Sequence, residues 1–107
     1  MRSIVVGVLL CLGLATVASA QDKAKGEQLF TAQHCTLCHS IDGKGNKKGP
    51  LDGVGTKLSP QEIRAWITDA KGMTAKTKAE RKPPMKQFAL PKDDVDALVT
   101  YLSGLKK

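Results

Sequence analysis

Five consecutive residues, Cys35-Thr36-Leu37-Cys38-His39, constrain this chain more than any other feature of its sequence. They follow the pattern C-x-x-C-H, which is typical of c-type haem attachment. Two thiols at this spacing can form thioethers with the two vinyl groups on one edge of a porphyrin. The histidine that follows then lies beneath the iron and supplies one axial nitrogen. The motif therefore predicts one covalently attached haem c, held by Cys35 and Cys38 and ligated by His39.

A structural zinc half-site, a disulfide and a redox dithiol are the alternatives for this cysteine pair. Zinc needs a second pair of ligands, and the chain contains no other Cys-x-x-Cys and no His-x-x-x-His. A thioredoxin-type dithiol requires a βαβ setting, which the sequence does not provide. Haem attachment is accordingly the favoured interpretation of the motif.

The first twenty residues have the features of a secretory signal peptide. A basic start is followed by an apolar run over residues 4–14 and by the A-x-A cleavage site Ala18-Ser19-Ala20. The apolar run is too short for a comfortable membrane span, and no second hydrophobic segment follows. We expect cleavage after Ala20, a periplasmic location and no stable membrane insertion, with an uncleaved anchor as the alternative. Cys11 would leave with this segment, and Leu10 before it does not suit a lipoprotein signal.

Residues 21–107 would then form a single domain, near the lower size limit at which an apolar core alone can hold a fold together. The aromatic residues are few: Phe30, Trp66, Phe88 and Tyr101. A covalently held haem would supply the missing apolar bulk.

Helical patterns joined by loops predict an all-α fold. We expect a first helix over about residues 23–31. The sequence Ser59-Pro60-Gln61-Glu62 predicts the start of a middle helix, with an N-cap serine, proline at the first position and a capping box. Residues 42–55 are rich in glycine, and residues 71–86 are basic and contain two prolines, so both segments are predicted to be irregular.

The last helix is expected to begin near Pro91. Asp93 and Asp94 would lie in its first turn and Lys106-Lys107 at its end, where each charge complements the helix dipole. The apolar residues at helical spacing that would face the core are Val95, Leu98, Val99 and Leu102.

The chain resembles the class I c-type cytochromes over essentially all of residues 21–107. Gly26 and Phe30 match the first-helix pair of that family, and Leu98 and Tyr101 match the C-terminal-helix residues that the pair meets. The haem motif, the loop Gly49-Pro50-Leu51 with Gly53, and the middle-helix residues 62–67 complete the likeness. The resemblance implies the cytochrome c fold, in which N- and C-terminal helices cross and a middle helix and loops wrap one haem.

The resemblance also implies the sixth iron ligand. The family places a methionine on a loop shortly before the last helix, and Met85 matches that position. This chain has Pro83-Pro84 before the methionine, whereas the family often has a proline directly after it, but the Met-x-x-Phe spacing to Phe88 is kept. Met73 is the rival, and a core methionine is its other interpretation. His34 is expected to face solvent.

Two further residues follow from the resemblance. In the family, a proline carbonyl in the loop after the motif accepts the second N–H of the iron-bound histidine, and Pro50 matches that proline. Trp66 either donates its indole N–H to a haem propionate, as a tryptophan does in some relatives, or packs on the haem as a core residue.

The charge of the chain indicates its partners. Lysine and arginine total 17 against 10 acidic residues, a net charge of +7. The cations cluster after the haem motif and around Met85: Lys44, Lys47, Lys48, Lys71, Lys76, Lys78, Arg81, Lys82 and Lys86. This basic rim is predicted to steer the protein to an acidic patch on a redox partner protein. Export and the scarcity of aromatic stacking platforms argue against nucleic acid.

Together these features predict a soluble, monomeric, exported electron carrier that is not an enzyme. One haem c with His39 and Met85 as axial ligands would exchange single electrons between redox partners. The alternatives are a haem c subunit or domain of a larger oxidoreductase, and a haem sensor or peroxidase with a labile methionine ligand.

Overall fold

The computed structural model describes residues 20–106, so the predicted signal peptide, with Cys11, lies outside the described residues except for Ala20. Residues 20–32 are helical (α1). After them come a 3-10 turn (Cys35–Leu37), strands β1 (Ser40–Ile41) and β2 (Lys44–Gly45), and helices α2 (Val54–Lys57), α3 (Pro60–Thr68), α4 (Ala70–Thr77) and α5 (Lys92–Ser103). The fold is mostly helical, as predicted. None of these described helices has the length and apolar character needed to cross a membrane.

Helix α3 begins at the predicted capping box. The Ser59 hydroxyl accepts a hydrogen bond from the Glu62 backbone N–H at 3.1 Å, and a Glu62 carboxylate oxygen accepts one from the Ser59 N–H at 3.0 Å. The same hydrogen bonds hold the pKa of Glu62 below its usual value. Because the start of the helix is set in this way, Ile63 and Ile67 lie on the buried face.

Helices α1 and α5 cross at the residues that the sequence predicted. Gly26 is buried, and a Cβ atom at this position would overlap the Ala97 carbonyl and lie 2.5 Å from the Tyr101 Cβ. One turn later the rings of Phe30 and Tyr101 pack edge to face, with centroids 6.1 Å apart. Phe30 and Leu98 belong to the same core cluster. The close approach of the two backbones therefore depends on the missing side chain of Gly26.

Helix α5 begins after Pro91 and buries the predicted apolar stripe: Val95, Leu98, Val99 and Leu102. Its end differs from the prediction. The helix stops at Ser103, and the Gly104 N–H donates to the Thr100 and Tyr101 carbonyls. Lys106 therefore lies beyond the last turn. The reason is tertiary: the chain leaves the helix so that the Leu105 carbonyl can accept the Gly55 N–H at 2.9 Å.

The glycine-rich segment is less irregular than predicted. β1 and β2 pair antiparallel, with Ser40 opposite Gly45 and Ile41 opposite Lys44. Asp42 and Gly43 form the turn with φ values of 53° and 78°. Positive φ at both positions is the pattern of a two-residue hairpin turn, for which Asp-Gly is a strong sequence signal. This signal was present in the sequence, although no alternating strand pattern accompanied it.

The basic segment 71–86 was predicted to be irregular throughout, and this is wrong for its first half. Helix α4 runs from Ala70 to Thr77, and the Asp69 side chain caps it by accepting the Gly72 N–H at 3.3 Å. Ala70 and Met73 are buried on its inner side. Burial of these two residues stabilises a helix whose sequence shows little periodicity. Residues 79–91, called the methionine loop below, contain no helix or strand.

We predict that Gly26→Ala destabilises the haem-loaded protein by about 1–3 kcal/mol, the cost of overpacking a close helix contact. Thermal unfolding followed by circular dichroism measures the loss. Gly104→Ala is the control, because its φ is −79° and a Cβ there meets no atom closer than 3.4 Å. Equal melting temperatures for the Gly26→Ala and Gly104→Ala proteins would contradict the crossing described here.

Candidate functional site

A cavity of about 450 Å³ opens between the haem motif, α1, α3, α5 and the methionine loop. Its volume lies within the range of roughly 300–1,000 Å³ that small-molecule and cofactor pockets have. Five of the seven buried residues of the core cluster line it: Phe30, Ile63, Ile67, Leu98 and Leu102. Most of the buried core cluster thus faces the cavity.

The cavity brings together five of the six residues that the sequence predicted for the site. Cys35, Cys38, His39, Trp66 and Met85 all line it. Pro50 is exposed and does not line it. The five residues come from three separate parts of the chain: the haem motif, the middle of α3 and the methionine loop.

The haem motif forms a tight turn that the following hairpin holds in place. The His39 N–H donates to the Cys35 carbonyl at 2.9 Å, which closes the motif on itself. The Asn46 side chain donates to the Leu37 carbonyl at 3.0 Å, and the Asn46 N–H is 3.0 Å from both the Thr36 and His39 carbonyls. Sequence reasoning did not identify Asn46, because its spacing from the motif carries no recognisable signal.

Both motif cysteines are free thiols, so the structure has no disulfide between Cys35 and Cys38. Burial raises the pKa of Cys35 to about 11. The thiol at the cavity wall is therefore protonated at neutral pH. Within residues 20–106, no group of three or more His, Cys, Asp or Glu side chains is arranged to hold a metal ion.

His39 is oriented by a backbone carbonyl. Its Nδ1–H donates to the Gly49 carbonyl at 3.0 Å, which leaves Nε2 without a proton in the neutral ring. Burial, and to a lesser extent the positive charge of Arg81, lower the pKa of His39, whereas the hydrogen bond to Gly49 acts in the opposite direction. The neutral imidazole is the form that binds metal ions.

The carbonyl that accepts the His39 hydrogen bond is that of Gly49, so the prediction that assigned this role to the Pro50 carbonyl is wrong. Residues 49–51 pair with β1: the Ser40 N–H donates to the Gly49 carbonyl at 3.1 Å, and the Leu51 N–H donates to the Ser40 carbonyl at 2.8 Å. This pairing turns the Gly49 carbonyl towards β1 and the imidazole ring. The acceptor therefore lies one residue earlier than the resemblance implied.

The methionine loop presents Met85 to the cavity. At its far end, the Phe88 N–H donates to the Ile67 carbonyl at 3.0 Å, and the Phe88 side chain also lines the cavity. Met73, the rival ligand, is buried within α4 and does not line the cavity. His34 is exposed and also lies outside the cavity wall, in agreement with its predicted solvent-facing position. Ligation of iron by Met85 stays a prediction.

The residues at this site fit a covalently attached haem. Two thiols and an imidazole from one short motif, and a thioether from a distant loop, surround an otherwise mainly apolar cavity. Cys35 and Cys38 would hold the porphyrin, and His39 would hold the iron through Nε2. A haem bound here supplies one-electron exchange between ferrous and ferric iron.

Comparison with known protein families gives the same assignment. The family model described as cytochrome c matches residues 23–106. The chain belongs to the cytochrome c family. A segment of 52 residues is 44% identical to the cytochrome c2 of Blastochloris viridis. That match covers 48% of this chain and 39% of the relative, so it spans well under two thirds of the relative's length. No solved structure matches this chain significantly. Membership of the family indicates a haem c electron-transfer protein.

We predict that the double substitution Cys35→Ser and Cys38→Ser abolishes covalent haem and largely unfolds the chain, because the apolar cavity then loses the group that fills it. A haem stain of the denatured protein after gel electrophoresis measures attachment, and circular dichroism measures folding. Thr36→Ser is the matched control within the motif, and it should keep both properties. Haem that remained on the denatured polypeptide of the double variant would show that other side chains hold it.

Proposed function

We propose that this protein is an exported electron carrier with one covalently attached haem c, ligated by His39 and Met85. The observation that supports this function best is the apolar cavity whose wall contains Cys35, Cys38 and His39 of the haem motif together with Met85. One attachment motif in the sequence supports one haem. Export to the periplasm, cleavage after Ala20 and the monomeric state are parts of this proposal that rest on the sequence.

Each residue of the site has a distinct role in this proposal. Cys35 and Cys38 would hold the porphyrin, and His39 would hold the iron through Nε2. The Gly49 carbonyl holds the imidazole in the tautomer that ligation requires. The Met85 thioether would supply the second iron ligand. Because the protein would supply both ligands, it would transfer electrons without binding a substrate at the metal. Methionine ligation also favours the ferrous state and raises the reduction potential.

The ligand assignment is tested by a matched pair of substitutions, Met85→Leu and Met73→Leu. Leucine has nearly the volume of methionine and lacks sulfur, so each change costs less than about 1.5 kcal/mol of packing. We expect Met85→Leu to remove the weak red absorption band of ferric iron–methionine ligation, to lower the reduction potential and to open the iron to carbon monoxide and cyanide. Met73→Leu should keep the band, because Met73 lies in the core and not at the cavity.

The opposite pattern, in which Met73→Leu loses the band, would mean that Met73 is the ligand. If the unsubstituted protein itself bound carbon monoxide or cyanide rapidly, it would lack a firm sixth ligand. That result would favour the haem sensor or peroxidase alternative over the electron carrier.

The surface charges support docking to an acidic redox partner. All nine cations of the two basic segments are exposed: Lys44, Lys47, Lys48, Lys71, Lys76, Lys78, Arg81, Lys82 and Lys86. The ion pairs within residues 20–106 use other cations: Lys25 with Asp94, and Arg64 and Lys92 with Asp96. The clustered positive charge is therefore free to act on a partner.

An exposed apolar residue lies within the haem motif. Leu37 is 71% exposed, and its carbonyl accepts a hydrogen bond from the side chain of Asn46, which lies in the segment that carries Lys44, Lys47 and Lys48. A protein interface typically has an apolar centre within a polar rim. We therefore propose that Leu37 and the cations of the two basic segments take part in docking.

We predict that electron transfer to the natural partner slows as the salt concentration rises, because exposed charges are screened within about 10 Å at 0.1 M ionic strength. Lys82→Glu and Lys86→Glu should mainly lower the association rate, measured by stopped-flow mixing. Lys57→Glu makes the same change of charge outside the two basic segments and should have a smaller effect. Steering by this surface would be excluded if the bimolecular rate stayed constant with salt and if Lys82→Glu and Lys86→Glu left the association rate unchanged.

A further inference from the structure

The guanidinium of Arg81 lies at the wall of the cavity, against the backbone of Gly49. A Cβ atom at position 49 would overlap the Arg81 Nη1 and the Cys38 carbonyl, and would lie 3.0 Å from the Arg81 Cζ. Arg81 also lines the cavity, although the residue as a whole is exposed. Because Gly49 has no side chain, the start of the methionine loop can contact the segment that follows the haem motif in the chain.

This contact joins the two loops that carry the proposed axial ligands. Gly49 supplies the carbonyl that orients His39, and Arg81 lies four residues before Met85 in the chain. The far end of the methionine loop is held separately, through the Phe88 N–H and the Ile67 carbonyl. Arg81 therefore provides a contact between this loop and the backbone on the histidine side of the site.

The charge of Arg81 is not neutralised by the protein around it. Among residues 20–106, no carboxylate lies within ion-pair distance of this guanidinium. Arginine stays charged at any physiological pH. A charge beside an apolar cavity is screened less than a charge in water, so its effect on a group inside the cavity is larger.

We propose that Arg81 is a positioning residue that raises the reduction potential of the haem iron and holds the methionine loop against Gly49. This inference rests on the proposed haem-carrying function. Oxidation of a haem held at this site would add one unit of positive charge to it. The fixed positive charge of Arg81 would oppose that addition and favour the reduced state, because net charge near the metal is one determinant of its potential.

This role differs from partner docking, to which the sequence assigned Arg81 together with the lysines. A docking charge changes the rate at which a partner associates. A charge at the cavity wall changes the potential of the isolated protein, with no partner present. The two roles can therefore be separated by equilibrium measurements on the carrier alone.

The experiment compares Arg81→Gln with Lys82→Gln in the haem-loaded protein. Both variants lose one positive charge, at adjacent positions, but Lys82 does not line the cavity. A spectroelectrochemical titration should show a midpoint potential that falls clearly further in Arg81→Gln than in Lys82→Gln. When the pH of the ferric protein is raised, the red iron–methionine band should also be lost at a lower pH in Arg81→Gln than in the unsubstituted protein, because the methionine loop is held less firmly.

A second pair of variants keeps the test decisive if Arg81→Gln does not take up haem. Arg81→Lys keeps the charge but loses the planar group that lies on Gly49, so its potential should fall between those of the unsubstituted protein and Arg81→Gln. Lys82→Arg should leave the potential unchanged. Equal potentials in Arg81→Gln and Lys82→Gln, or in Arg81→Lys and Lys82→Arg, would overturn the role of Arg81.

Failure of this inference is distinguishable from failure of the proposed function. If the unsubstituted protein lacks covalent haem or the iron–methionine band, the proposed function is wrong. If the unsubstituted protein has both and the paired variants do not differ in potential, only the role of Arg81 is wrong.

Discussion

The structure depends on one constraint, which is that its hydrophobic core and its cofactor cavity share the same side chains. Phe30, Ile63, Ile67, Leu98 and Leu102 pack against one another and also form the cavity wall. An apolar cavity of this volume forfeits the contacts that its wall could make with a bound group. A short chain with few aromatic residues has little other core to compensate. Covalent attachment of haem then stabilises the fold and builds the functional site in a single step.

The loops around this cavity hold the residues of the site in position through hydrogen bonds and contacts. The hairpin holds the haem motif through Asn46, and the pairing of residues 49–51 with β1 aims the Gly49 carbonyl at His39. The methionine loop contacts this region through Arg81 and contacts α3 through Phe88. Both proposed axial ligands are therefore attached to the same framework. Such attachment would limit the movement of both residues, which would suit the electron-carrier function proposed above.

The charges of the described surface fall into two groups, the ion pairs of α5 and the cations of the basic segments. Asp94 and Asp96 on α5 are paired with lysine and arginine side chains, and the hydrogen bonds from Lys92 and Arg64 hold the pKa of Asp96 below its usual value. Exposed ion pairs of this kind contribute little to stability, because water and salt screen them. The cations of the basic segments are exposed and take no part in these pairs. Among the described residues, positive charge is thus left without ion pairs around the haem motif and the methionine loop, where we propose that a redox partner docks.

The sequence by itself determined the features that depend on neighbouring residues. The haem motif, the capping box at Ser59 and the apolar stripe of α5 could be predicted because their spacing sets which side chains share a turn or a helix face. The crossing pair Gly26 and Phe30 was predicted through its resemblance to the cytochrome c family. Tertiary structure decided the features that depend on contacts distant in sequence. Helix α4 is stabilised by the burial of Ala70 and Met73, α5 ends early because Leu105 pairs with Gly55, and the acceptor for His39 is Gly49 because residues 49–51 pair with β1. The position of Arg81 at the cavity wall belongs to the same class, since only the folded chain brings it to the glycine whose missing side chain makes room for it.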